Sequence, residues 1–218
     1  MEKVKFFSII IFFTMLFQYN YAQKEETSDL SFINIEDSVI IENRIRLEKF
    51  DKILPRVMRN NNIDMWIHII RPWTSDPLQF EFGSSDGVFI FTDRGPNNIE
   101  RVAFSAHIQD HMAYDIIIEE GMEREYQPGT PLEMDFRFVG LKKFVSERDP
   151  NRIGVNYMDD LNVASSSEGN PLTDGISFKD YNLLINALGD KYAVRIHSAE
   201  YVIMDYLAGR VQEEIKLY

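Results

Sequence analysis

The sequence predicts an α/β protein in which a mixed sheet is flanked by helices. A run of apolar residues at helical spacing leads at once into a nearly continuous apolar segment, Ile63 to Ile70. A hairpin pattern follows over Gly87 to Ala106, and helical and strand-like segments alternate after it. Strands that alternate with helices, with some hairpin pairing, favour a mixed sheet whose faces are covered by helices.

The first amphipathic helix is predicted from Ile40 to Val57. Apolar residues recur there every three or four positions with charged residues between them, which is the period of one helix face. Pro55 predicts a kink in the last turns or a second short helix, because proline disrupts a helix interior. Three asparagines, residues 60–62, close the segment, since asparagine tolerates the left-handed backbone that ends many helices.

The strands of the predicted sheet begin with "IDMWIHII", Ile63 to Ile70. This segment is rich in β-branched and aromatic residues and predicts a strand buried on both faces. A loop with two prolines follows. "GVFIFTD" and "IERVAFSA" then flank the turn-forming residues "RGPNN", which predicts the hairpin Gly87 to Ala106. Another short strand is predicted at Tyr114 to Ile118.

The second half of the chain continues the alternation. A helix is predicted from its cap Thr130 to just before Pro150, with a proline at the first helical position. "RIGVNYM" then predicts a strand. Ser177 is the predicted cap of a helix over Phe178 to Leu188, and "KYAVRI" predicts a final short strand.

Residues 1–22 have the order of a secretory signal peptide. Lys3 and Lys5 precede an apolar run, Phe6 to Phe17, and the small residue Ala22 follows. The run is shorter than the roughly 20 apolar residues that a transmembrane helix needs. We expect an exported protein, periplasmic or extracellular, with no stable membrane span after cleavage; an uncleaved N-terminal anchor is the alternative. The polar composition of residues 23–39 predicts a linker or N-terminal arm. A domain is predicted after it, over residues 40–208.

Composition excludes some covalent modifications and one class of partner. The 218 residues contain no cysteine, which excludes a disulfide framework and a lipid-modified cysteine. The formal net charge is −12. Because affinity for phosphate backbones comes mainly from Lys and Arg, we expect no nucleic-acid partner.

The spacing of His107 and His111 in "HIQDH" is that of a zinc-protease helix, where two histidines four apart share one face. That motif also needs a glutamate directly after the first histidine and a third ligand downstream. Ile108 occupies the glutamate position. The pattern therefore favours a polar loop at the exit of the hairpin over a metal site.

Two further polar clusters are weak candidates for a metal site or a catalytic nucleophile. Asp159 and Asp160 follow a predicted strand, where α/β folds tend to bind ligands, but adjacent carboxylates on extended chain point to opposite faces. A solvated loop is favoured over a carboxylate-metal nuclease site, which needs three or four converging acids. Residues 165–167 are serines without the G-x-S-x-G pattern of a nucleophile elbow.

The loop after the first strand is the best candidate for binding. It contains Arg71, Trp73, Asp76 and Phe80. Exposed aromatic rings beside charges can form a ledge for a peptide or a sugar. The alternative is that the aromatic residues fold back over the sheet edge as a satellite core.

The segment "RLEKFDKILPRVMRNNNIDMWIHI", Arg46 to Ile69, resembles the start of the N-terminal domain of aminopeptidase P, prolidase and creatinase, the pita-bread metallopeptidase family. "IIRPWTSDPLQFEFG" is similar to a branch of exported Xaa-Pro aminopeptidase-like proteins, with a tryptophan-bearing strand running into an arginine and an Asp-Pro loop; here these are Trp66, Arg71, Asp76 and Pro77. "RIGVNYMDD" is similar to the strand before the last helices of that domain.

The resemblance implies a ribonuclease-H-like mixed fold of the creatinase N-terminal type. In that family this domain carries no catalytic metal, shapes access to the active site and contributes subunit contacts. The catalytic domain that follows holds two metals with two Asp, one His and two Glu. No residue of this chain matches those ligands, so the resemblance implies no cofactor here and an inactive chain by itself. Its expected partner is a catalytic domain in a separate or downstream chain, or a second copy in a homo-oligomer.

Residues 209–218 are similar to the junction between the two domains of the family. Arg210 is followed by a helical segment with Glu213, Glu214 and Lys216. The resemblance implies a connector helix whose apolar residues, Val211, Ile215 and Leu217, pack on the absent catalytic domain.

Overall fold

The computed structural model describes residues 35–96, 98–104, 106–108, 111–118, 136–159 and 175–216. The chain divides into two units, residues 1–41 and 42–218. In the first unit the described residues are the opening turns of one helix, and the second contains the sheet. The predicted signal peptide, the arm up to residue 34, the helix cap at Thr130, Asp160, the serines at 165–167 and Leu217 lie outside the described residues.

Helices and strands alternate through the second unit. The helices are α1 (Ile35–Lys52), α2 (Leu54–Asn60), α3 (Gln79–Phe82), α4 (Leu141–Arg148), α5 (Phe178–Leu188), α6 (Asp190–Ala193), α7 (Glu200–Ala208) and α8 (Gln212–Ile215). The strands are β1 (Met65–Ile70), β2 (Gly87–Asp93), β3 (Ile99–Phe104), β4 (Ile116–Ile118), β5 (Ile153–Val155) and β6 (Ile196–Ser198). Single 3-10 turns lie at His111–Ala113 and Phe136–Phe138.

The six strands form one sheet in the order β4-β3-β2-β1-β5-β6. Strand β2 is antiparallel to β1 and β3, whereas β1 is parallel to β5, β5 to β6 and β3 to β4. Five strands therefore point in one direction and β2 alone points in the other. The predicted class, an α/β protein with a mixed sheet flanked by helices, is confirmed.

Strand β1 is buried along its whole length, as its apolar sequence predicts. Because side chains alternate across a strand, Trp66 and Ile70 enter the core on one face, and Met65, Ile67 and Ile69 enter the core on the other. On the first face the sheet packs against residues of α1, α2 and α7, and on the second against residues of α4 and α5. Helices therefore cover both faces of the central strand.

The first helical region ends as predicted. Helix α1 stops at Lys52, and α2 begins at Leu54 with Pro55 in its first turn, where the missing amide hydrogen costs nothing. Asn62 has a φ of 52°, the left-handed conformation expected of the closing asparagines. The hairpin, the strand at β4 and the Ser177 cap of α5, whose hydroxyl accepts from the Asp180 amide, are also confirmed.

Three local predictions are wrong. Helix α3 forms inside the segment predicted as loop. The helix before Pro150 begins at Leu141, because the preceding Gly140 has a left-handed φ of 85° that interrupts a longer helix. In "KYAVRI", Lys191 to Ala193 belong to the short helix α6, and the strand begins only at Ile196, in β6, where the register with β5 places it. Helix α7 was not predicted from periodicity.

The C-terminal segment differs from the expected free connector. Val211 is buried and belongs to the same core cluster as Trp66 and Tyr206. The expectation that Val211 packs on an absent domain is therefore wrong, whereas Ile215 is half exposed. Part of the predicted connector is docked on the sheet domain.

Among the described residues, no helix combines the length and the apolar character that crossing a membrane requires.

Candidate functional site

The strand directions bring the candidate residues to one edge of the sheet. The carboxyl ends of the five parallel strands and the amino end of β2 meet there. Arg71 follows β1, His107 follows β3, Asp159 follows β5, and Asp86 precedes β2. In open α/β sheets ligands bind outside this edge, so we treat it as the candidate site.

The crevice between β1 and β5, where the strand order reverses direction, is closed by Asn156. Its side-chain oxygen accepts from the Ile69 amide at 2.9 Å, and its side-chain nitrogen donates to the Ile69 carbonyl at 2.9 Å. The buried amide thus continues the hydrogen-bond ladder past the end of β5. Ligand access at this point is limited to the loops above the crevice.

Trp73 stands on the first of those loops with its side chain fully exposed. Its φ of 65° is left-handed, a conformation that is rare for a bulky residue. The turn is held by Thr74, whose hydroxyl donates to the Arg71 carbonyl at 2.8 Å. The alternative in which this ring folds back over the sheet edge is therefore wrong for Trp73.

The carboxylate of Asp76 is hydrogen-bonded to neighbouring residues of the fold. Its carboxylate accepts from the Leu78 amide at 2.8 Å and lies 3.1 Å from Nε2 of the buried His68. Burial alone raises the pKa of Asp76, but the interaction with His68, the Leu78 amide and the charge of Arg71 together bring this pKa below its ordinary value. Asp76 therefore shapes the start of α3 and lies close to Arg71.

A groove of about 570 Å³ opens beside α3. Its volume lies within the range of about 300–1,000 Å³ that is usual for small-molecule sites. Phe80 is the one member of the predicted set Arg71, Trp73, Asp76 and Phe80 that lines it. The lining residues are Glu42, Arg46, Gln79, Phe80, Gly83, Ser84, Ser85, Ala106, His107, Ile108, His111 and Ile117.

The floor of the groove is built by Arg46. This buried side chain donates from Nη2 to the Phe80 carbonyl at 3.0 Å and from Nε to the Glu81 carbonyl at 3.0 Å. These are carbonyls of the four-residue helix α3, which it therefore secures at its C-terminal end. Gly83 follows with a φ of 69°, and a Cβ there would lie 2.7 Å from Cζ of Arg46. Only glycine fits both the backbone and the contact.

The groove is also lined by a histidine, His107, that a carboxylate orients. Nδ1 of His107 lies 2.9 Å from the Asp86 carboxylate, which fixes the ring and leaves Nε2 for other contacts. Side chains 107 and 86 flank the open end of the β2–β3 hairpin. His111 lines the same groove, but among the described residues no group of three His, Cys, Asp or Glu could hold a metal ion.

Arg46, Asp86 and the His107 pairing were missed as site residues. The hairpin prediction contained a signal for the pair, because both residues lie just outside its open end. The role of Arg46 had no local signal, since its partners are 34 and 35 positions away.

We compared the chain with protein families, curated proteins and solved structures, and none of them matches it. The site is therefore interpreted from its own geometry.

Proposed function

We propose that residues 40–208 form the non-catalytic N-terminal domain of an Xaa-Pro aminopeptidase-like metallopeptidase of the pita-bread family. The supporting observation is that Arg46 to Ile69, the segment that carries the resemblance, folds as helix, helix and central strand in the implied order. The mixed sheet, with β2 alone antiparallel, supports a ribonuclease-H-like fold of the creatinase N-terminal type.

The proposed role is control of substrate access and contribution of subunit contacts. The exposed ring of Trp73 on the loop after β1, and the exposed ring of Phe80 in the groove with His107 and His111, supply contact surface at one edge of the sheet. Aromatic rings with adjacent polar groups are the residue types that contact surfaces favour. The segment around Val211 is docked on this domain, since Val211 is buried in its core.

In the proposed enzyme this chain contributes no catalytic residue and holds no cofactor. The described residues do not fit a dinuclear metal centre, because no group of three potential ligands converges among them. The metal centre would belong to the catalytic domain, in a separate or downstream chain, or the chain would act within a homo-oligomer. The basic and apolar segments of residues 1–22 support export to a periplasm or to the outside of the cell.

The coding region downstream of this chain tests the proposal most cheaply. A pita-bread catalytic domain with two Asp, one His and two Glu as ligands supports it. Unrelated sequence there contradicts the version in which the catalytic domain is encoded directly downstream. We also expect no cleavage of Xaa-Pro peptides by the pure chain with added manganese or cobalt. Clear turnover would show that the chain contains a catalytic site of its own.

An exported module that binds a peptide or a glycan through the Trp73 loop is the second candidate. The fully exposed Trp73 on left-handed backbone favours it, because strained and exposed aromatic residues often mark binding positions. Calorimetric titration with Xaa-Pro tripeptides and with a set of oligosaccharides tests this function. This function predicts that Trp73→Ala abolishes binding while the melting temperature stays unchanged. Loss of binding together with a lowered melting temperature would contradict it.

A further inference from the structure

The side chain of Lys49 on α1 is completely buried. Its Nζ donates to Oε1 of Glu81 at 2.8 Å, lies 4.0 Å from Oε1 of Glu214, and stands 4.9 Å from the centre of the Tyr206 ring. A buried ammonium is costly unless it is paired with a carboxylate. Lys49 therefore needs at least one of these two glutamates.

The two glutamates belong to elements that are far apart along the chain. Glu81 lies on α3, next to Phe80 in the wall of the groove, and Glu214 lies on α8 in the C-terminal segment. Each of these helices has four residues, too few to be stable without external anchors. Both are thus anchored in part by the same buried charge.

We propose that Lys49 is a shared counter-charge that couples the groove wall to the C-terminal segment with negative cooperativity. While both carboxylates face one ammonium, they repel each other, and this repulsion opposes the attraction that holds each of them. When either carboxylate is neutralised or withdrawn, the lysine depends on the other alone and holds it more tightly. Loosening one of the two helices therefore tightens the other.

The surrounding contacts allow either carboxylate to move away from Lys49. Glu214 also lies 3.1 Å from Nη1 of Arg210, so its carboxylate keeps a partner when it leaves Lys49. On the other side, Arg46 holds the Glu81 carbonyl, so α3 stays in place while the strength of the Glu81 ion pair changes. A partner that displaces the C-terminal segment would thus stiffen the groove wall, and an occupant that moves α3 would stiffen the C-terminal segment. This coupling does not depend on which of the two proposed functions is correct.

Hydrogen–deuterium exchange of the full chain tests the coupling. The amides of Phe82, Gly83 and Ser84 donate to carbonyls of α3 and its flanking residue, so their exchange reports on the groove wall. We expect Glu214→Gln to slow this exchange by about threefold to tenfold, because the Lys49–Glu81 pair gains strength. Glu81→Gln should likewise slow exchange at Ile215 and Lys216, whose amides donate within the C-terminal segment.

The neighbouring residue supplies the matched control. Glu213 contacts Arg44 and Lys216 at 3.9 and 3.6 Å and makes no ion pair with Lys49. Glu213→Gln should leave exchange at residues 82–84 unchanged, and Lys49→Met should accelerate exchange in both segments. Equal exchange at 82–84 in the Glu214→Gln and Glu213→Gln proteins, or faster exchange there in Glu214→Gln, would overturn the proposal.

Discussion

Within the described part of the chain, three polar atoms are buried around the ring of Phe82 without a hydrogen-bond partner. They are Nε1 of Trp66, Nδ1 of His68 and the hydroxyl of Tyr206. The ring centres of these residues lie 5.6, 5.3 and 6.2 Å from that of Phe82. Burial raises the pKa of Tyr206 well above its usual value, so its hydroxyl stays neutral. Each such atom reduces the free energy of unfolding, because it loses its water contacts without gaining others.

Removing the Tyr206 hydroxyl should therefore stabilise the protein. We expect Tyr206→Phe to raise the free energy of unfolding by about 1 kcal/mol in denaturant titration. Tyr114→Phe is the control, since the Tyr114 hydroxyl donates to the Phe82 carbonyl at 2.6 Å and its loss should cost about 1 kcal/mol. A destabilisation of similar size in both variants would show that the Tyr206 hydroxyl has a partner.

Asp76 should contribute a pH-dependent part of the stability. Its pKa in the folded protein lies below the ordinary value of 3.8, so the unfolded chain binds the proton more readily. The contribution is present above this value and is lost as the pH falls through the lower, folded pKa. The difference in unfolding free energy between wild type and Asp76→Asn should be largest near pH 5 and shrink towards pH 3. A difference that grows on acidification would contradict the sign of the shift.

Among the elements, α3 shows best what the sequence could not reveal. It has four residues, and Arg46 secures its C-terminal end through carbonyls 34 and 35 positions away, a contact that no local pattern encodes. The hydrogen bond from the Leu78 amide to Asp76 at its start spans two residues and is local. The hairpin, β1 and α5 were predictable because alternation, apolar runs and a serine cap act within a few residues. Helix α6 and strand β6 were misassigned because pairing with β5, not local propensity, decides which residues form the strand.

Gly83→Ala should destabilise α3 and the groove. An alanine there must adopt a φ of 69° and lies 2.7 Å from Arg46 Cζ. Gly95→Ala is the comparison, because Gly95 also has a positive φ, 116°, but has nothing within 4 Å of the added methyl. We expect Gly83→Ala to lower the unfolding free energy by about 1–3 kcal/mol. Adding Arg46→Ala should reduce this cost; no reduction would contradict the contact.

At the scale of the whole molecule, the candidate site is assembled from distant segments by the sheet. Alternation of strands and helices was enough to predict the mixed sheet, and the Trp73 loop was correctly placed after β1. The packing of Val211 into the core depends on contacts between distant segments, which sequence periodicity does not determine, whereas the pairing of His107 with Asp86 follows from the predicted hairpin. The groove therefore became visible only in the folded chain.

We propose above that this domain acts with a separately folded metallopeptidase domain. Xaa-Pro cleavage with manganese is to be assayed for residues 23–218 alone and for the same residues copurified with the product of the downstream coding region. We predict no turnover by the chain alone and metal-dependent turnover by a stable complex of the two. Turnover by the chain alone, or a downstream product that neither binds it nor cleaves Xaa-Pro bonds, would show that the domain does not act in this way.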